Sequence, residues 1–162
     1  MASNPIEVPS EHHISYEKLS RREVRSLIFH LLYAMEGFDY TVSLESIIDM
    51  FNRGYGWDIP ADSQAKKNAQ SIIDDYVSLD EVIKPLLANW RLERIGLCTK
   101  LILRLSVWEL MHTEIATNVV INEAIELTKC FSEKDAYRFV NGVLDEFCKK
   151  CKPESCLQSD ES

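Results

Sequence analysis

The segment LCTKLILRLSVWELMH, residues 97–112, constrains this chain more than any other. Read as a helix, it is apolar around most of its circumference and has no polar side wide enough to face water. Such a helix is favourable only when other elements surround it, so the fold has to be built around it. Thr99 is placed to cap its start. Arg104 inside it is the exception. It either reaches the surface or pairs with a carboxylate such as Glu109 or Glu126, because an uncompensated guanidinium in an apolar interior is strongly unfavourable. Asn122, Glu123 and Glu126 can supply a polar network around it, and Asn141–Gly142 reads as a close helix crossing.

Around that segment, apolar residues recur at helical spacing. Ser20 and Glu23 have the separation of a capping box, and Leu19 and Val24 that of a hydrophobic staple. They open a helix carrying Val24, Leu27, Ile28, Leu31, Leu32 and Met35, which Gly37 stops. A second helix spans about 43–51, and NRGYGWDIPADS (52–63) is a loop by its glycines and proline. A third starts at Asp62 or Ser63. A fourth starts near Asp80 and runs to Trp90, kinked or tightened by Pro85. After residues 97–112, one helix is entered at Thr117 or Asn118. The last is capped by Ser132, with Asp135 at N3, and continues through Phe147. The expected fold is all-α, about seven helices in two small packed bundles, with a hinge near 52–64 or 78–80. Residues 1–19 read as a flexible acidic arm and 20–152 as one helical domain, with sub-bundles of about 20–78 and 80–152. Residues 153–162 read as a polar tail.

Several function classes are excluded on these grounds. No run of eighteen apolar residues exists to span a membrane. The N-terminus lacks the basic and apolar regions of a secretion signal, so a cytoplasmic protein without a membrane partner is expected. Five cysteines, an odd number, suggest free thiols rather than a disulfide framework. Cys148, Cys151 and Cys156 include a C-x2-C pair but no matching second pair, so no metal is expected. The histidines are 12, 13, 30 and 112, and no nucleophile elbow, phosphate-cradling loop or H-E-x-x-H motif accompanies them. Binding without catalysis and without a cofactor is the expectation.

The net charge of −8 speaks against nucleic acid until its distribution is considered. Residues 18–25 and residues 91–104 each hold four basic side chains and one acidic. On a wheel of the first helix with Arg22 at zero, the core residues fall at about 140° to 280°. Arg25, Phe29 and Tyr33 fall at about −60°, −20° and +20°, opposite the core, with Arg21 at about −100°. Arginines in a first turn oppose the helix dipole, and guanidiniums beside rings are the chemistry that single-stranded RNA recognition uses. The competing reading is a solvated charge run, with Phe29 and Tyr33 packed under the N-terminal arm or the long loop. Spacing alone does not separate the two. In the second cluster (Arg91, Arg94, Lys100, Arg104), Arg94 is adequately explained as a cation closing a helix.

The blocks RREVRSLIFHLLYAME, LLANWRLERIGLCTKLILRLSVWELM and VVINEAIELTKCFSEKDAYRFVNGVLDEFCKK, in this order over roughly residues 20–150, resemble the bacterial transcription antitermination factor NusB family. The resemblance implies an all-helical protein of two small bundles. It also implies binding of boxA-type single-stranded RNA together with ribosomal protein S10 (NusE), in a complex with RNA polymerase and other Nus factors that supports ribosomal RNA transcription. Some members are homodimers that hide the RNA surface. The family's arginine-rich motif falls on Arg21, Arg22 and Arg25. Lys100 and Arg104 match basic positions of the central helix, and Phe139 an aromatic near the RNA path. Tyr33, Glu93 and Thr99 match positions near the S10 contact. Glu23 replaces an arginine of some members, Thr99 stands where an acidic residue is usual, and the segment before Ser20 is longer and more acidic than typical. A protein-only scaffold, homodimeric through the Phe29/Tyr33 face, is the alternative function.

Overall fold

The computed structural model describes residues 14–151 and surrounds the apolar segment with helices, as its pattern requires. Among the described residues there are six α-helices: α1 (Arg21–Gly37), α2 (Leu44–Gly54), α3 (Gln64–Ile83), α4 (Leu97–His112), α5 (Thr117–Phe131) and α6 (Ala136–Cys151). Every residue of α4 from Leu101 to Leu110 is buried, and α1, α3, α5 and α6 all pack against it. Three helix starts are fixed locally. The Ser20 hydroxyl accepts from the Glu23 amide (3.2 Å) while the Glu23 carboxylate accepts from the Ser20 amide (2.7 Å), and Ser43 and Ser63 cap α2 and α3.

Six helices stand where about seven were expected, because the third and fourth are one. Helix α3 runs unbroken through residues 78–80, placing Ile72, Leu79 and Ile83 on one buried stripe. Asp80 looks like a helix-starting cap, but its carboxylate is held by Arg104 and leaves the local backbone alone. Pro85 stands in no helix running to Trp90: α3 ends at Ile83 and closes in a 3-10 turn at Lys84–Leu86. Two further caps are corrected. Helix α4 starts at Gly96 without a side-chain cap, since Thr99 is buried and hydrogen-bonded to the Ser132 hydroxyl (2.5 Å). Ser132 ends α5 rather than starting α6, which begins after Asp135 at a φ of 70°. Gly142 is exposed, and a side chain there would meet nothing within 4 Å, so it marks no close crossing.

The last residues of the expected flexible arm are held in place. Ile14–Ser15 (β1) pairs in parallel with Trp57–Asp58 (β2), in the register Ile14 to Trp57, and the Tyr16 hydroxyl accepts from the Ala65 amide (3.1 Å). Across the loop, the Asn52 side chain donates to the Ile59 carbonyl (3.1 Å) and accepts from its amide (2.9 Å). Trp57 thereby packs on the core while Tyr55 stays exposed. The remainder of the arm and tail, with His12, His13 and Cys156, lies outside the described residues. No described helix is long and apolar enough to cross a membrane.

Candidate nucleic-acid and partner surfaces

Helix α4 carries two charges into the core, Arg104 and Glu109. Arg25 of α1 donates from Nε and Nη2 to the two carboxylate oxygens of Glu109, at 2.7 and 2.6 Å. Nearer the middle of α4, Arg104 donates to both oxygens of Asp80 on α3, at 2.7 and 2.8 Å. Arg104 also lies 3.6 Å from Glu36 near the end of α1, and Lys100 lies 3.7 Å from the same carboxylate. Ion pairs therefore join the start of α1 to the end of α4 and the end of α1 to the start of α4. That arrangement fixes the two helices antiparallel and in one register, the best-attested role for buried ionic groups. Tyr76 stacks on Tyr40 and lies under the Arg104 guanidinium, 5.0 Å from ring centroid to Cζ. Burial, and then the hydrogen bond to Glu36, raises the Tyr40 hydroxyl well above the ordinary tyrosine range.

This geometry corrects the outward-facing stripe. Arg25, Phe29 and Arg104 are buried, and Phe29 is only 2% exposed. The wheel gives α1 a single inner face, but its buried positions from Leu27 round to Phe29 cover an arc of about 200°. The extra width comes from α5, which the spacing within α1 cannot reveal. Phe131 at the end of α5 stacks on Phe29, with centroids 4.9 Å apart, and His30 meets the edge of Phe131 at 5.0 Å. Arg104 is paired, as one of its two expected alternatives requires, but to Asp80 instead of Glu109 or Glu126. Thr99 is buried behind Ser132 and offers no open surface.

An outer rim remains. Arg21 is exposed with no ion pair among the described residues. The Arg22 side chain is 65% exposed and donates from Nε and Nη2 to the two oxygens of Glu123 on α5, both at 3.0 Å. Glu123 also lies 3.6 Å from Nη1 of Arg25. The hydrogen bonds from Arg22 hold the Glu123 carboxyl below the usual range. Tyr33 is 49% exposed and neighbours Phe29 at 6.4 Å between centroids. The structure thus leaves Arg21 and Arg22 reachable at the start of α1, with Arg22 on the α5 edge, and Tyr33 three turns further along the helix. Lys100 and Arg104 sit apart, at the far end of α1. Phe139 is on another side again, half-buried against Trp90 at 6.1 Å, and Glu93 is exposed on the 3-10 turn Leu92–Arg94.

Sequence reasoning missed Phe131, Asp80 and Tyr76. It also missed a basic-aromatic corner where Lys129 and Arg138 lie over the Tyr137 ring at 5.1 and 5.7 Å. Lys129 and Arg138 belong to different helices, and reading Ser132 as a cap hid the corner between them. Among the described residues, no group of three or more His, Cys, Asp or Glu side chains is arranged to hold a metal ion. Every buried side-chain polar atom described has a hydrogen-bond partner.

Comparison with known proteins agrees with this architecture. The family model described as the NusB family matches residues 22–149. A transcription antitermination protein NusB of Macrococcus caseolyticus is 34% identical over 131 residues, covering 81% of this chain and 98% of that protein. One from Staphylococcus aureus is 34% identical over 132 residues, covering 81% and 100%. The solved structure of T. maritima NusB superposes with a TM-score of 0.67 at 31% identity, covering 82% of this chain and 93% of that one. The solution structure of NusB from Aquifex Aeolicus, at 22% identity and a TM-score of 0.59, matches in fold.

Proposed function

Because this chain belongs to the NusB family, we propose that it is a transcription antitermination factor without catalysis of its own. In this reading it binds boxA-type single-stranded RNA together with ribosomal protein S10 (NusE) and joins RNA polymerase and other Nus factors, in support of ribosomal RNA transcription. Within the molecule, the reading rests on one observation: the start of α1 presents Arg21 and Arg22 to solvent, with Arg22 on the edge shared with α5, and the exposed Phe131 ring lies further along that edge. Guanidiniums engage phosphate as planar forks, and exposed rings stack bases with little sequence preference.

The candidate residues take different parts in it. Arg21 and Arg22 contact the RNA backbone, and Phe139 with its neighbour Trp90 gives a second stacking position. Arg25 and Phe29, committed to Glu109 and Phe131, hold α1 from beneath, and Arg104, committed to Asp80, anchors its far end. Lys100, half-buried beside Glu36, adds positive potential rather than a full contact. Tyr33 and Glu93 face the protein partner, and Thr99 supports that side through Ser132.

Fluorescence anisotropy with a labelled boxA-type RNA, with and without S10 and over a range of salt, tests the proposal. Arg21→Glu with Arg22→Glu is expected to weaken binding about tenfold or more and to flatten its salt dependence. No RNA binding by the native chain with S10 present, or unchanged affinity in this variant, overturns it. A second reading is favoured by the exposure of Tyr33 and Phe131: a protein-only homodimer through that aromatic face. The mass in solution of native and Tyr33→Ser chains, measured without RNA, decides for or against it.

A further inference from the structure

The proposed RNA surface contains its own competitor. Arg22 is not waiting for phosphate with its fork open. Both of the N–H groups that would grip a phosphate in the side-on manner, Nε and Nη2, already donate to Glu123 at 3.0 Å. A carboxylate presents two oxygens at nearly the spacing of two phosphate oxygens, so only one of them can occupy that edge at a time. The bond is intramolecular and bridges α1 to α5 across 101 positions of sequence, so the carboxylate stays at hand however dilute the RNA.

Glu123 also has a second cation beside it where it stands. Arg25 spends Nε and Nη2 on Glu109, which leaves Nη1, and Nη1 lies 3.6 Å from Glu123. When phosphate takes Arg22, the Glu123 carboxylate keeps a cationic neighbour, one that is anchored in the core and does not follow the RNA. Arg22 in turn is largely exposed and can swing outward, while Glu123 sits half-buried at the base of the contact. The exposed partner moves and the buried one stays, as an exchange of this kind requires.

Resting on the antitermination reading above, we propose that Glu123 is an autoinhibitory gate on the RNA surface, holding Arg22 closed in the free protein and releasing it when an RNA phosphate takes the carboxylate's place and leaves Glu123 beside Arg25. The gate makes a weak or isolated phosphate contact insufficient and favours a strand that engages several positions together. Exposed ion pairs are weak, so the gate is light enough to be opened by RNA.

Removing the gate tightens binding. Expected in the anisotropy assay at low salt is a gain of about twofold to fivefold for Glu123→Gln, the range that a surface ion pair converts to. Any lost negative charge attracts RNA to some degree, so two further variants isolate the gate. Glu123→Asp keeps the charge but shortens the reach to Arg22, and it too is expected to bind RNA more tightly than the native chain. With Arg22→Gln already in place, Glu123→Gln is expected to add almost nothing. Circular dichroism checks that each variant is folded, and Glu123→Asp serves alone if the glutamine variant is not. Arg22→Gln weakening RNA binding while both Glu123 variants leave it unchanged or weaker overturns the gate and leaves the antitermination reading standing. RNA binding absent in every chain overturns that reading instead.

Discussion

Arg22 and Arg25 are one helical turn apart, and each makes a two-pronged ion pair with a glutamate from a distant part of the chain, yet they belong to different regions of the molecule. Arg22 lies on the outer edge of α1, with its side chain 65% exposed, against α5. Arg25 lies on the inner edge, with 10% exposed, against α4. In water the Arg22 pair gains little and exchanges readily. In the interior, the Arg25 pair has already lost its hydration, and removing either member strands a buried charge. The same bond is thus a removable contact in one place and a structural fixture in the other. The rings repeat the contrast, since Phe29 is enclosed while Tyr33, one turn on, is half open.

The largest effect expected from this contrast follows removal of the inner arginine. Arg25→Ala should lower the unfolding free energy by about 3 to 5 kcal/mol, read from the urea midpoint, because Glu109 is left buried and unpaired. Arg22→Ala should barely move that midpoint, and equal losses from the two would refute the inner–outer distinction. Next in size is the inner ring. Phe29→Ala is expected to destabilise by about 3 kcal/mol, the lower end for a buried aromatic, and Phe131→Ala by clearly less in the same titration. Replacing both buried ions, Arg25→Met with Glu109→Leu, should recover most of what Arg25→Ala loses. A double variant as unstable as the single one would mean that Glu109 has another essential partner.

The smallest effect concerns pH. Glu123 has its carboxyl held below the ordinary range by Arg22, so its folded value lies under the unfolded one of about 4.3. The tie between α1 and α5 is accordingly complete above that unfolded value and lost as pH falls through the folded one. Melting curves of native and Arg22→Gln chains should differ slightly at neutral pH and converge in strong acid. A difference that grows on acidification contradicts the assignment.

Much of the fold is visible in residues that lie close together in the chain. Ser20 and Glu23 cap each other as their three-residue spacing predicts, and the Ser43 and Ser63 hydroxyls each accept from an amide three residues on at the start of their helices. Local patterns also misled where a long-range partner intervened. Asp80 resembles a cap but serves Arg104, and Ser132 resembles one but serves Thr99. The candidate site divides along the same line. The exposure of Arg21 and Arg22 at a helix start could be read from spacing. The enclosure of Phe29 could not, because it depends on Phe131 arriving from the end of α5.

The sequence by itself determined that α4 would be central, since no arrangement of LCTKLILRLSVWELMH around a helix leaves it a water-facing side. It also determined the period of every helix packed against α4, because those signals act within a turn or two of backbone. Only the tertiary structure decided which arginine would be enclosed and which left reachable. That choice is made by carboxylates 84 and 101 positions away, and the neighbour that a helix face acquires on folding is not encoded in the spacing of its own residues.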